Sequence, residues 1–332
     1  MSDGFNLRLR RPRPSVVACS PTLGALGAVN LMPACFAKED ALEARIARSS
    51  RRRRAVSVLL RWLTYAAATV TAAVLLFVVG YILVRGVPAL TPDLFQWEYT
   101  SENVSLLPAL ASTVIMALLA LALAVPVGVG AAIYLVEYAR RGSRFVRLVR
   151  VTAETLQGIP SIIYGLFGML FFVTACGWGL SLLSGACTLA IMVLPVIMRT
   201  TEEALMAVPD SYREGGFGLG AGRLRTVACC VLPSAVPGIL GGVILALGRC
   251  VGEVAALLFT AGTVAQIPDF GAQGIFALFD SCRTLAVHMY TLACEGLHVN
   301  EAYATSVVLL ILVLLLNAAM RVVAQKMEVS KK

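Results

Sequence analysis

A chain of 332 residues with 58% hydrophobic and 14% charged side chains has too few charges to cover a soluble surface, where about 25% is usual, so a bilayer is the solvent that fits it. Its 28 Lys and Arg exceed its 19 Asp and Glu to give +9, but the excess is arginine in short stretches beside apolar runs. That pattern points to membrane topology rather than to nucleic acid. The nine cysteines form no CxxC pair and no Cys/His cluster at zinc spacing, and most read as small buried hydrophobes, so no metal site is expected.

Residues 1–54 carry arginines, prolines and a mixed segment ending in Arg51-Arg52-Arg53-Arg54, with no compact apolar stretch of the signal-peptide kind. They are expected to be a disordered, basic cytoplasmic tail. Residues 55–327 read as one transmembrane domain, an all-α polytopic fold of about six helices, each needing about 20 apolar residues. Trp62–Val84 is the first span. Asn103–Val136 contains the second. Thr155–Met198 is uncharged for 44 residues, enough for the third and fourth spans with a turn at Cys176-Gly177-Trp178-Gly179. The fifth begins near Pro233 and runs past Gly248, and the sixth covers about Ala302 to Met320.

Arginines 140, 141, 144, 147 and 150 follow span two, and Arg199, Arg213, Arg223 and Arg225 follow span four. The far C-terminus carries Arg321, Lys326, Lys331 and Lys332, whereas 85–107 and 264–301 hold only Arg85 and Arg283. Basic loops stay inside, so both termini are expected in the cytoplasm. Within span five, Gly238-x-x-x-Gly242 and Gly248-x-x-x-Gly252 are spacings that let helix backbones approach closely.

The loop 199–233, RTTEEALMAVPDSYREGGFGLGAGRLRTVACCVLP, is polar, long enough for two short helices, and broken at Pro209, with Asp210 and Ser211 suited to begin the second. Inside span five, Arg249 and Glu253 lie four residues apart, which on a continuous helix places them on one face. Charges in a span are costly and usually face a bundle interior or a water-filled path. Two readings stand: an ion pair that orients the helix, or an arginine whose planar fork contacts a translocating oxyanion while Glu253 holds or releases it. Arg199 at the end of span four is a second candidate for the path, or a topology anchor. Glu154 marks the start of span three. His288 and His298 are expected on the outer surface, and Cys282 and Cys294 could form a disulfide there. The chain has no G-x-x-x-x-G-K-[ST] loop; its lysines are Lys38, Lys326, Lys331 and Lys332. It is therefore not expected to hydrolyse ATP.

The loop residues Glu214, Gly215, Gly216, then Gly220, then Leu232 and Pro233, with Cys230 in the isoleucine place, resemble the EAA loop of ABC-importer permeases. Gly215 and Gly216 depart from its usual alanines. Together with QGIPSIIYGLFG from Gln157 and LPSAVPGILGGVILALGRCVGEVAALLFTAG from Leu232, the loop is similar to the A-type permease subunits of phosphate-specific (Pst) transport over roughly residues 60–325. Val254 departs, since threonine is usual after the glutamate. The resemblance implies a type I, MetI-like permease fold in a bacterial inner membrane, paired with a second, related permease. ATP and magnesium would bind a separate ATPase dimer docked on the EAA-like loop, and an extracytoplasmic binding protein would deliver phosphate. It implies that Glu214 to Gly220 form a coupling helix and that this chain binds no cofactor. Another oxyanion, such as molybdate or sulfate, or an ATPase-independent transporter or channel, are the alternatives.

Overall fold

The computed structural model describes residues 28–329 apart from 101, 141, 269 and 272, with side chains described from 56 to 325. Residues up to Leu76 and those from Phe77 form two compact units; every packing contact and site discussed here lies in the second. The described chain is helical almost throughout. Its elements are α1 (Ala28–Gly86), α2 (Leu107–Ile133), α3 (Arg144–Gln157), α4 (Ser161–Gly168), α5 (Leu182–Met206), α6 (Asp210–Gly218), α7 (Arg223–Thr226), α8 (Leu232–Val251), α9 (Ala255–Thr260), α10 (Leu285–Glu295) and α11 (Val299–Val329). Wide π turns extend three of them, at Tyr134–Tyr138 after α2, Met169–Ala175 after α4 and Val227–Val231 between α7 and α8.

Five stretches are long and apolar enough to cross a membrane: Val56–Ala89, Leu107–Tyr138, Leu182–Met206, Arg223–Val251 and Val299–Gln325. The chain is an all-α integral membrane protein, with five candidate spans among the described residues, or six if the bent pair α3 and α4 makes one. That pair is the first departure from expectation. A straight third span from Thr155 is replaced by α3, which carries Arg144, Arg147 and Arg150, then a 101° bend, then Ser161–Ala175. Gly158 and Pro160 make the bend, because proline removes a backbone donor and turns the preceding residue away from helix. The 15 residues after it span roughly 22 Å as helix, short of a bilayer core of about 30 Å. Span five also starts earlier than expected, at Arg223, with Leu232-Pro233 inside it. The π turn just ahead of Pro233 accommodates the proline, which cannot donate to a carbonyl one turn back. The turn between the third and fourth segments lies at the expected place, with Gly177 and Gly179 at φ +69° and +67°.

Of the tail expected at 1–54, residues 1–27 lie outside the described residues, and α1 begins at Ala28. Alanine, leucine, glutamate, lysine and arginine dominate residues 35–54, and these are strong helix formers; propensity outweighs the charge density there.

The core runs along α5. Its Leu182, Leu189, Val193 and Ile197 are fully buried against Met116, Ala120 and Ala124 of α2, Ala246 and Leu247 of α8, and Leu257 of α9. A second cluster near the arginine-rich end joins Leu135, Val146, Met198, Leu205, Val231 and Ala235. Small residues set the closest approach. A methyl group at Gly238 would lie 2.6 Å from Ala204 Cβ, and one at Gly242 would overlap Thr200, so the first GxxxG face of α8 lies flat on α5. The second does not act this way, since nothing lies within 4 Å of a methyl placed at Gly248.

At the opposite end, His288 corrects the surface expectation. It is fully buried on α10, where Arg283 Nη1 lies 3.2 Å from its Nδ1 and the Tyr99 ring meets it edge-on. The local composition, apolar on both sides of His288 in Leu285–Val287 and Leu292, carries the ring inward. His298 is half-buried, with Nδ1 3.8 Å from Glu301. Cys282 is buried and Cys294 exposed, and both are free thiols. Burial, helped by the Arg283 charge, pulls the His288 pKa down to about 4. The unfolded imidazole titrates near 6.5, so between those values the unfolded chain binds a proton that the folded one refuses. Stability is expected to fall as pH drops from about 6.5 towards 4, approaching a loss of about 3 kcal/mol. Thermal unfolding in detergent across that range should show the slope, and His288→Gln should flatten it; equal slopes in both proteins would remove His288 as the source.

Candidate functional site

The loop between α5 and α8 is built around one guanidinium. The α5 helix ends at Met206, leaving carbonyls without helical partners, and Pro209 starts α6. Arg213, on α6, donates from Nη2 to Leu205 O at 2.9 Å and from Nη1 to Val208 O at 2.8 Å, so it caps α5. The same group grips Glu137, in the π turn after α2, through Nη2 at 2.7 Å and Nε at 3.1 Å. Asp210 accepts a further bond at 3.2 Å. The side chains of Arg213 and Glu137 are only 17% and 8% exposed, and their bonding raises the Arg213 pKa above its ordinary value. On the far side of the loop, Arg223 of α7 stacks its guanidinium 5.6 Å from the ring centroid of Tyr138.

Between these anchors the chain reverses. Gly220 has φ +78°; its N–H bonds Phe217 O, and the Ala221 N–H bonds Gly216 O. This paired pattern is a Schellman turn, which needs the left-handed conformation that glycine adopts without strain. It explains the motif's glycine four positions beyond Gly216. Glu214 and Gly215 are exposed, and a methyl at Gly215 would meet nothing. Gly216 is buried, and a methyl there would lie 2.7 Å from Thr226 Cγ2. The two glycines that replace alanines thus differ: one is free and the other lets α6 rest on the Thr226 side chain. The loop turns an apolar tip outward, with Leu219 91% exposed beside exposed Tyr212, Phe217 and Leu224. Leu232 and Pro233 are not at this tip but in the membrane-crossing helix, where Val231 and Ala235 on either side of them are buried.

The residues expected along a translocation path are dispersed. Arg249 lies in the last turn of α8 and Glu253 beyond its end, so they do not share a helix face, which corrects the expected pair. The break at Gly252 separates them: Arg249 complements the negative end of α8, while Glu253 Oε1 accepts the Ala256 N–H at 3.2 Å and caps α9. Both are half-buried, and among the described residues neither takes part in an ion pair. Arg199 is exposed at the arginine-rich end and engaged by Glu203 at 3.2 Å and by Glu154 at 3.5 Å. With the Arg150–Glu202 pair alongside, these residues line a cleft of about 190 Å³ between α3 and α5. No spacing rule reveals Glu137 or Arg150 as partners, since each meets its mate from another part of the chain. No cluster of three or more potential metal ligands occurs among the described residues.

This arrangement of bundle and loop is that of a type I ABC-importer permease. A chain of the inward-facing MetNI methionine ABC transporter superposes with a TM-score of 0.51 over 74% of this chain and 96% of that one, at 21% identity, a likeness of fold. Residues 124–329 match the family described as binding-protein-dependent transport system inner membrane component, and the chain belongs to that family. It is 35% identical over 268 residues to the probable ABC transporter permease protein YqgI of Bacillus subtilis (strain 168), covering 76% of this chain and 90% of that protein. It is 33% identical over 227 residues to the phosphate transport system permease protein PstA of Mycobacterium leprae (strain TN), covering 65% and 71%.

The three loop glycines should respond differently to substitution. Gly215→Ala is expected to stabilise the protein by about 0.5–1 kcal/mol through helix propensity. Gly216→Ala should forfeit that gain against Thr226, and Gly220→Leu should cost about 1–2 kcal/mol by forcing a branched residue into the left-handed region. Thermal shifts of the three purified variants check this; the same shift for Gly215→Ala and Gly216→Ala would contradict the packing.

Proposed function

We propose that this chain is one permease subunit of an ATP-driven importer of inorganic phosphate in a bacterial inner membrane. It forms half of the path with a second, related permease, binds no cofactor itself, and has both termini in the cytoplasm. An ATPase dimer docks on α6 and the Gly220 turn, and a binding protein delivers phosphate at the other face. The observation that carries the coupling half is the loop: an apolar tip led by Leu219 is held out from the bundle by a bonded hinge, the form a groove-docking element needs. The concentration of arginines in the loops after spans two and four supports the orientation. For the substrate, support comes from the resemblance of three sequence stretches to phosphate permeases, from relatives named as phosphate permeases, and from Arg249. Its guanidinium stands at a helix break with no carboxylate in ion-pair contact among the described residues, and its planar fork can offer two donors to an oxyanion. Glu253, fixed on α9, would lie beside the passing anion rather than neutralise the arginine.

Phosphate uptake in membrane vesicles, with and without ATP and the binding protein, tests this reading. ATP-dependent uptake that excess sulfate or molybdate does not compete away is expected. Uptake driven by an ion gradient without ATP, or preference for another oxyanion, would replace it. Arg249→Ala should lower uptake at least a hundredfold while the subunit still inserts. Arg249→Lys should recover little, because an ammonium lacks the planar fork. Normal uptake by Arg249→Ala would remove this residue from the path.

A further inference from the structure

Among the contacts that hold the 209–226 loop, two fall on adjacent residues of a single turn that is remote in sequence. Glu137 receives Arg213, and Tyr138 receives the guanidinium of Arg223. Arg213 precedes the Gly220 reversal and Arg223 follows it, so the loop grips this turn from both of its arms. The arms are themselves joined. The Schellman bonds close the reversal, and Gly216 seats directly on Thr226, the last residue of α7. Two arms fixed to one another and to the same turn behave as one body with it.

The gripped turn is not ordinary helix. Tyr134–Tyr138 is a π turn, in which the Ala139 N–H reaches back five residues to Tyr134 O at 2.9 Å. A π turn holds one residue more than the α turn it replaces and recurs at functional positions. It ends a span, Leu107–Tyr138, whose inner face packs along α5 and α8 through Met116, Ala120 and Ala124. Glu137 is buried at 7% exposure and lies in a groove with Val136, Ala139 and Phe217, so its carboxylate is held by Arg213 rather than by water. A buried, doubly bonded acid transmits displacement, where exposed pairs of long side chains would slacken; the exposed Tyr138–Arg223 contact adds a second point of attachment beside it.

We propose that the π turn Tyr134–Tyr138 is the element through which motion of the 209–226 loop enters the membrane bundle, with Glu137 and Tyr138 as its two positioning residues. The proposal rests on the reading that this loop docks an ATPase. It adds that the driven helix is α2, which is far from the loop in sequence, in addition to α5 and α8, to which the loop is covalently joined. Arg213 also holds the end of α5, so a pull on α6 reaches α5 and α2 together and moves them against α4 and α9, which it does not hold.

The test uses the assembled complex, with its partner permease, ATPase and binding protein, in proteoliposomes. Glu137→Gln keeps an acceptor and the shape but removes the charge; Tyr138→Leu keeps bulk but removes the ring face. The expected result for the double variant is assembly at the wild-type level, ATP hydrolysis within about twofold of wild type, and phosphate moved per ATP lowered at least tenfold. Each single variant should fall between. A role confined to stability would lower assembly, hydrolysis and uptake in the same proportion, and that outcome overturns the proposal, as does a wild-type ratio in the double variant. Should Glu137→Gln fail to assemble, Tyr138→Leu alone decides, since it leaves the ion pair in place. A readout independent of the solute is an environment-sensitive fluorophore attached through Tyr134→Cys, at a position that is exposed. Its signal should change when ATP is added to the otherwise wild-type complex and stay flat in the double variant. A wild-type complex that moves no phosphate yet shows this ATP response would overturn the substrate reading and leave the clamp standing. An equal ATP response in both would overturn the clamp itself.

Discussion

One guanidinium sets the geometry of the end of the bundle where most of the arginines lie. Arg213 meets two carbonyls at the end of α5, the carboxylate of Glu137 after α2 and the carboxylate of Asp210 on its own helix, and thereby uses every nitrogen it has. Lysine could not do this: three donors on a flexible stem cannot meet acceptors from three elements in one plane. The pair is internally compensated, and so tolerable at low exposure. Truncating either partner, with no acceptor or donor left in its place, would leave a buried charge at a cost of about 3–5 kcal/mol, whereas an apolar pair of like volume would cost little. The loop has therefore retained a bond that stability alone does not demand, which is the physical reason to look for a positional role in it.

The rest of the fold obeys bilayer physics. Lipid tails are as apolar as leucine, so helices associate through close packing rather than through water exclusion. Glycine and small side chains supply it here at specific crossings: Gly238 and Gly242 on Ala204 and Thr200, Gly165 on Ala256, Gly168 on Thr188 and Thr260, and Gly185 against Met116 and Ala261. Three of these contacts involve the short pieces α4 and α9, which have too little length to be held by span packing alone. Backbone bonds finish the job where helices stop. The Ser181 N–H reaches Thr260 O, the Cys282 N–H reaches Ala261 O, and the Leu182 N–H reaches Asp280 O, so the broken ends are satisfied inside the protein, as a membrane requires.

Much of this was readable from residue order. Long uncharged runs, arginine-rich loops and the Gly177–Gly179 turn are one-dimensional signals, each imposed by bilayer thickness or by a backbone angle. The EAA-like spacing located the loop, and Gly220 is where the left-handed turn falls. What the order of residues could not carry was any break that a helix survives only through tertiary support. Gly158 and Pro160 turn α3 from α4 by 101° within a stretch that reads as uniformly apolar. Gly252, read as a second packing glycine, ends α8 instead and splits Arg249 from Glu253, because a four-residue spacing implies a shared face only while the helix continues. His288 reads as a loop histidine until Arg283 and Tyr99, one of them 189 residues away in the chain, are brought against it.

The split between Arg249 and Glu253 changes how the arginines compare. Arg199 is engaged by two carboxylates, and the cleft it lines with Arg150 holds three glutamates against two arginines, a local balance of −1 that an anion would meet as repulsion. Arg283 is buried among acceptors: Thr263 O takes its Nε at 2.9 Å, His288 lies against Nη1 and the Tyr99 ring covers one face, so its donors are committed to holding the 263 segment. Arg249 differs from both. It has no carboxylate in ion-pair contact among the described residues, and its one evident partner is the carbonyl end of α8, a fractional charge of about −0.5. A full positive charge balanced by half a negative one leaves a net field in a region of low dielectric, where it acts more strongly than at the surface. Such a field must also be weak enough to release what it attracts, and the carboxylate of Glu253, held one helix break away on α9, limits its depth. An arginine bound directly to Glu253 on one helix face would have had neither property; in the proposed reading, the break at Gly252 is what leaves the guanidinium open to a transient anion.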